Sequence, residues 1–187
     1  MTLIVGLGNP GQQYLHNRHN IGFLTVDALI DRFKASRVTK TSFLGDAYKS
    51  KDTVFLKPTT YMNLSGKSVT AVANFFKPQK IIVIHDDLDL NFGALKVKIG
   101  GGNGGHNGLK SIDESIGKEY IRVRMGIGKP EHKSQVSSYV LSDFNADEQP
   151  HLQRWIDYAC NCVEMLLQND IGEVVARFNT KSIENVI

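Results

Sequence analysis

Two histidines, His16 and His19, lie in a run of side chains that donate, accept or titrate, with Tyr14, Asn17, Arg18 and Asn20 as neighbours. Imidazole titrates near neutrality, so it can take a proton from water at working pH and later return it. Such a base needs a partner to fix its tautomer and steady its protonated form. Asp86 is the candidate, because it follows the apolar run Ile81-Ile82-Val83-Ile84 and should stand at a sheet edge. Gly6-Leu7-Gly8-Asn9-Pro10-Gly11 follows another apolar run, so its glycines should turn the chain and present Asn9 at the carboxyl end of a strand, where open α/β folds place ligands.

Other chemistries fit less well. The glycine run has the spacing of a dinucleotide fingerprint, but residues 12–19 are polar and unperiodic, and Asp27 and Asp31 fall inside an expected helix rather than at a strand end. His85-Asp86-Asp87-Leu88-Asp89 offers carboxylates to a hard cation, yet no second ligand set with suitable spacing follows, so no metal is expected. Gly100-Gly101-Gly102-Asn103-Gly104-Gly105-His106-Asn107-Gly108 permits close backbone approach but lacks the Lys-Ser/Thr ending of a P-loop. No Gly-x-Ser-x-Gly elbow occurs, which disfavours a serine hydrolase. Around the glycine loop, Lys96 with Lys98 and Arg122 with Arg124 form strand doublets, each pair facing one way, and together they favour a phosphate-binding surface.

These groups need a scaffold. Apolar runs at residues 2–5 and 81–84 read as buried central strands. Residues 47–48 and 54–56 flank a polar turn, while residues 95–99 and 121–127 alternate as strands do. Phe23, Val26, Ile30 and Phe33, and again Val69, Val72, Ala73 and Phe76, recur at helical spacing. The expected fold is α/β, a mixed, largely parallel twisted sheet flanked by helices, in one domain over residues 1–187. Ser65 is placed to cap a helix after the irregular loop at residues 57–66. Asn145 with Glu148 forms a capping-box pattern, so the longest helix should start near Asn145.

With 187 residues the chain has room for one ordinary core. Twenty-two Lys and Arg against 19 Asp and Glu give a formal charge of +3, compatible with a polyanionic partner without demanding one. Cys160 and Cys162 face different ways on an expected helix and should remain thiols, which points to a reducing compartment. Residues 1–5 lack the character of a secretory signal, and no apolar run is long enough to cross a bilayer, so a cytoplasmic location without membrane contact is expected.

Several longer motifs, in order, complete the pattern: Gly6-Leu7-Gly8-Asn9-Pro10-Gly11, Arg18-His19-Asn20-Ile21-Gly22, Lys57-Pro58-Thr59-Thr60-Tyr61-Met62-Asn63-Leu64-Ser65-Gly66, Asp86-Asp87-Leu88-Asp89-Leu90, Gly104-Gly105-His106-Asn107-Gly108-Leu109-Lys110-Ser111-Ile112 and Gly126-Ile127-Gly128-Lys129-Pro130. Together they resemble the bacterial peptidyl-tRNA hydrolase family along nearly the whole chain. The resemblance implies a monomeric, metal-free and cofactor-free esterase that releases peptide from tRNA. It implies that His19 is the base and Asp86 its orienting partner. By the same resemblance Asn9, Asn63 and Asn107 line the cleft, contacting the peptide backbone, the water or the developing oxyanion. Tyr14 and Met62 would shape the cleft near the tRNA end, and Lys98 and Arg124 would meet the tRNA 5′ phosphate. The chain departs from the family where Asn17 replaces a usual threonine and where Lys96 and Lys129 stand in places often held by arginine, so RNA affinity is the property these positions put in question. The alternative is a non-catalytic RNA-binding relative of the splicing-factor kind, and retention of the catalytic set favours the enzyme.

Overall fold

Leu3, Ile4 and Val5 are buried on both sides of the strand they form, β1 (Thr2–Gly6), as a continuous apolar run requires at a sheet centre. In this computed structural model, which describes residues 1–186, β1 pairs in parallel with β4 (Thr53–Pro58) and β5 (Lys80–Asp87). Ile187, the last residue of the expected domain, lies outside the described residues. β5 pairs in parallel with β7 (Ile121–Gly126), and β6 (Leu95–Ile99) runs antiparallel at that edge. On the other side β3 (Gly45–Ser50) and β2 (Ser36–Arg37) add antiparallel strands, giving the order β2-β3-β4-β1-β5-β7-β6. The sheet is mixed, as expected, with four parallel strands at its centre.

Alternation along β1 splits the core. Ile4 packs with α1 (Ile21–Phe33) and α5 (Leu152–Gln168), around Val26, Leu29 and Trp155. Leu3 and Val5 pack with α2 (Ser65–Phe76) and α3 (Asn107–Ile116), around Val69, Val72 and Leu109. Two shorter helices, α4 (Val136–Val140) and α6 (Ile171–Arg177), complete a single α/β domain. Both cysteines are buried free thiols on α5, each pushed up to about 12 by burial and therefore unreactive. No helix of the described residues is long and apolar enough to cross a membrane.

The glycine run owes its composition to packing. A Cβ on Gly6 would sit 2.2 Å from the carbonyl oxygen of Gly22, and one on Gly22 would sit 2.4 Å from that of Ile84. Only paired glycines let the first turn of α1 rest against the ends of β1 and β5. That contact brings the residues before α1 to the carboxyl edge of the sheet, on either side of the point where the chain order reverses about β1.

Two expected helix starts are corrected. Asn145 and Glu148 do form a reciprocal capping box, with Glu148 N–H donating to Asn145 Oδ1 at 2.9 Å and Asn145 N–H to Glu148 Oε1 at 2.9 Å. The box closes a turn, however, and a short 3-10 segment (Gln149–His151) containing Pro150 intervenes before α5 begins at Leu152. Ser65 opens α2 but caps nothing, because its hydroxyl donates to the Met62 carbonyl at 2.8 Å instead of accepting an amide.

Candidate active site

Asp86, 2 % exposed, lies near the end of β5, and its two oxygens meet two imidazoles. Oδ2 is 2.8 Å from His19 Nδ1 and Oδ1 is 2.7 Å from His106 Nε2. Burial by itself would push the carboxyl up, but the charges of the facing imidazoles and their hydrogen bonds outweigh it and hold Asp86 well below the usual carboxylate range. An ionised carboxylate only accepts, so His19 carries its proton on Nδ1 and its Nε2 lone pair is left for chemistry. His19 sits on a one-turn 3-10 segment (Arg18–Asn20) directly before α1, which is why the glycine packing above fixes its place.

His106 was not among the residues singled out by sequence. It is the N-cap of α3, and its Nδ1 accepts the main-chain N–H groups of Gly108 at 3.1 Å and Leu109 at 3.3 Å. Nδ1 is therefore bare and Nε2 carries the hydrogen that Asp86 accepts, so one neutral tautomer serves both ends of the ring. Ser, Thr, Asp and Asn are the usual caps. A histidine cap has no composition signal, and only its position beside Asp86 reveals it. Next to it, buried His85 donates Nδ1–H to the Asp86 carbonyl at 2.8 Å, and its Nε2 is buried without a partner. Burial, aided by repulsion from His106, lowers His85 to about 4.

A cluster of amides adjoins His19 in the chain. Asn20 grips the backbone of Asn9 from both ends, accepting its N–H at 2.8 Å and donating to its carbonyl at 2.9 Å. Asn9 in turn accepts the Met62 N–H through Oδ1 at 2.7 Å. That contact demands oxygen at the Met62 end, which orients the Asn9 amide nitrogen the other way. Asn20, like His106, went unnoticed as a positioning residue because an asparagine in a polar loop has many ordinary uses. Tyr61, before Met62, has φ 64 and ψ 157, a backbone region that glycine favours and that costs a tyrosine about 1–3 kcal/mol. Its ring meets Tyr14 edge to face at 6.4 Å. Asn63 and Asn107 are exposed, with side chains that bond no group among the described residues.

A cavity of about 160 Å³ opens beside the histidines and is bordered by His19, Asp86, Asn107, Lys98 and Arg124. Asn9, Tyr14, Met62 and Asn63 do not border it, although the Met62 thioether packs over Gly108 in the first turn of α3, next to Asn107. Lys98 is exposed, and Arg124 donates Nε–H to Asp87 at 2.8 Å, leaving its terminal nitrogens without protein acceptors among the described residues. The doublet reading needs correction at Arg122. Although it shares a face with Arg124, it is buried, paired with Asp113 at 3.1 Å, and bound to the Gly102 carbonyl at 2.6 Å. Arg122 holds the glycine loop to the sheet, with both terminal nitrogens engaged inside the protein and Nε buried without a partner.

His19, Asp86 and His106 offer three ligand atoms within 4.8 Å of one another, the one such group among the described residues. Their 2.7 and 2.8 Å separations are hydrogen-bond contacts. Ligands around a zinc-sized ion stand about 3.3 Å apart, so a cation here would have to strip a proton from each ring and spread all three groups.

A family model described as peptidyl-tRNA hydrolase matches residues 3–186. A peptidyl-tRNA hydrolase from Sulfurovum sp. is 54 % identical over 188 residues, covering 100 % of both chains. One from Wolinella succinogenes is 50 % identical, covering 97 % of this chain and 96 % of that one. Among solved structures, a crystal structure of peptidyl-tRNA hydrolase from Acinetobacter baumannii superposes with a TM-score of 0.91 at 38 % identity, covering 98 % of this chain and 96 % of the other.

Proposed function

The chain belongs to the peptidyl-tRNA hydrolase family, and from that membership and the cleft geometry we propose that it hydrolyses the ester joining a peptide to tRNA, with His19 as general base. The observation that carries the assignment of roles is the Asp86 carboxylate held between two imidazoles, which leaves Nε2 of His19, a residue that borders the cavity, as an unprotonated acceptor.

In this reading water lodges against Nε2 and attacks the ester carbonyl as the imidazole takes its proton. Asp86 steadies the imidazolium that forms. The carbonyl oxygen gains charge, and the Asn9 amide nitrogen, aimed by its contact with Met62, donates to it. One such donor is worth about 10²–10³ in rate. When the tetrahedral intermediate collapses, Nε2–H returns the proton to the departing ribose oxygen. Asn63 and Asn107 hold the peptide backbone and the water, while Tyr14 and Met62 shape the cleft near the tRNA end. Lys98 and the outward end of the Arg124 fork take the 5′ phosphate, a contact that positions the RNA without reading its sequence.

An aminoacyl ester is an activated acyl donor, so a base and amide donors suffice without a metal or other cofactor. The enzyme so described acts as a cytoplasmic monomer. The test is turnover of peptidyl-tRNA by His19→Ala and Asp86→Asn. Both should fall by orders of magnitude while RNA binding persists. A non-catalytic RNA-binding relative would show no turnover in the unaltered protein.

A further inference from the structure

We infer that Arg18 is a positioning residue that couples the roof of the cleft to the catalytic base, an inference resting on the assignment of His19 above. Arg18 adjoins His19 in sequence, yet its side chain belongs to a different part of the molecule. Its guanidinium donates from Nη1 to Ser142 Oγ at 2.5 Å and to the Asp143 carbonyl at 2.9 Å, and from Nη2 to Glu148 Oε1 at 2.8 Å. It also lies 4.2 Å over the ring of Tyr139. The connection is repeated in the main chain, where Arg18 N–H donates to the Ser142 carbonyl at 3.0 Å, and in the neighbouring side chain, where Asn17 Nδ2 donates to Asp143 Oδ1 at 2.8 Å.

All these partners lie in residues 139–148, which start within the last turn of α4, the helix that borders the cavity through Val136, Ser137 and Val140. Moving α4 therefore pulls on the turn that carries His19. Glu148 binds the system further, because the oxygen that meets Arg18 also closes the turn at Asn145.

Stability alone is a poor reason for this arrangement. Arg18 is 6 % exposed, and its Nε is buried without a partner. A buried ion pair is often replaceable by apolar groups at no loss of stability. Orientation is the better reason, because a planar fork fixes two nitrogens against three acceptors in one geometry, which a lysine ammonium cannot copy.

The experiment measures kcat and KM for Arg18→Lys and Ser142→Ala on peptidyl-tRNA and on a short peptidyl-nucleotide ester, per folded molecule, with His19→Ala alongside. Arg18→Lys keeps the buried charge, and Ser142→Ala removes one acceptor of the fork together with the hydroxyl that donates to the Tyr139 carbonyl at 2.6 Å. We expect kcat to fall on both substrates, at least tenfold for Arg18→Lys and about threefold for Ser142→Ala, with KM within twofold. The limb of activity that rises with pH should move to lower pH in both variants, because a loosened turn weakens the support Asp86 gives the imidazolium. If both variants lower only the yield of folded protein, with kcat and the pH limb unchanged, the inference is overturned. Should His19→Ala instead keep its turnover, the assignment of the base fails first, and the two failures are told apart.

Discussion

The Met62 main-chain N–H points into Asn9 Oδ1 at 2.7 Å, and this one contact decides that the amide nitrogen of Asn9 is turned away from Met62. Asn9→Asp keeps an acceptor for Met62 and the shape of the side chain but sets an oxygen, and a charge, where the donor stood. We expect kcat on peptidyl-tRNA to fall about 10²–10³-fold or more with little change in stability. A variant with ordinary turnover would remove Asn9 from the oxyanion role.

His106 should separate into two functions. In His106→Asn, Oδ1 lies at the same chain position as the histidine Nδ1 and can still cap α3, but nothing reaches Asp86. Stability should fall by about 1–3 kcal/mol, because an oxygen of the buried Asp86 carboxylate loses its partner, and turnover should drop about tenfold. His106→Ala should lose the same turnover and about 1 kcal/mol more stability. Urea unfolding and steady-state rates on the two variants check this, and equal stability in both would show that the cap contributes nothing.

His85 gives the fold a pH dependence of its own. Its native value of about 4 lies below the ordinary 6.5, burial being the main cause. A depressed value means that the stability it contributes is complete above pH 6.5 and is lost as pH falls toward about 4, because the unfolded chain binds the proton first. At pH 5 the loss is on the order of 2 kcal/mol. His85→Asn retains a donor at the δ position for the Asp86 carbonyl and cannot titrate. Unfolding free energies at pH 7 and pH 5 should converge in that variant relative to the unaltered protein, and an undiminished difference would count against His85 as its source.

Much of this could be read from the chain before the fold was known, and the exceptions share a cause. Continuous apolar runs identified β1 and β5, and with them the sheet edge that carries Asn9 and Asp86, because burial on both faces leaves a pattern in local sequence. The helix of Asn107 is legible too, with Leu109, Ile112 and Ile116 at helical spacing, whereas the cap at His106 left no pattern because histidine is an unusual capping residue. The Arg122 and Arg124 doublet was right about facing and wrong about use. Asp113, on the helix that precedes the strand, pairs with Arg122, and alternation within the strand alone does not reveal that partner. The capping box at Asn145 was formed by the residues expected, but it closes a turn ahead of Pro150 instead of opening the α-helix.

Lys98 and Arg124 should act on affinity and leave chemistry nearly alone. Lys98→Ala and Arg124→Ala should raise KM for peptidyl-tRNA, reduce the log–log salt dependence of binding by at most about one unit each, and change kcat far less. A short peptidyl-nucleotide ester without the 5′ phosphate should be insensitive to either change. Equal effects on the two substrates would contradict a phosphate contact.

The central claim, that an imidazole oriented by Asp86 activates water without a metal, is met most directly by single-turnover hydrolysis of peptidyl-tRNA by the unaltered protein and by His19→Ala, each after exhaustive EDTA treatment. The substrate must be a tRNA whose fold tolerates removal of magnesium. The expected result is a rate in the unaltered protein that EDTA does not change, and in His19→Ala a rate lower by at least three orders of magnitude, about what loss of an essential base costs, with RNA binding intact. Turnover near that of the unaltered protein in His19→Ala, or activity lost to EDTA and restored by one particular divalent ion, would contradict it.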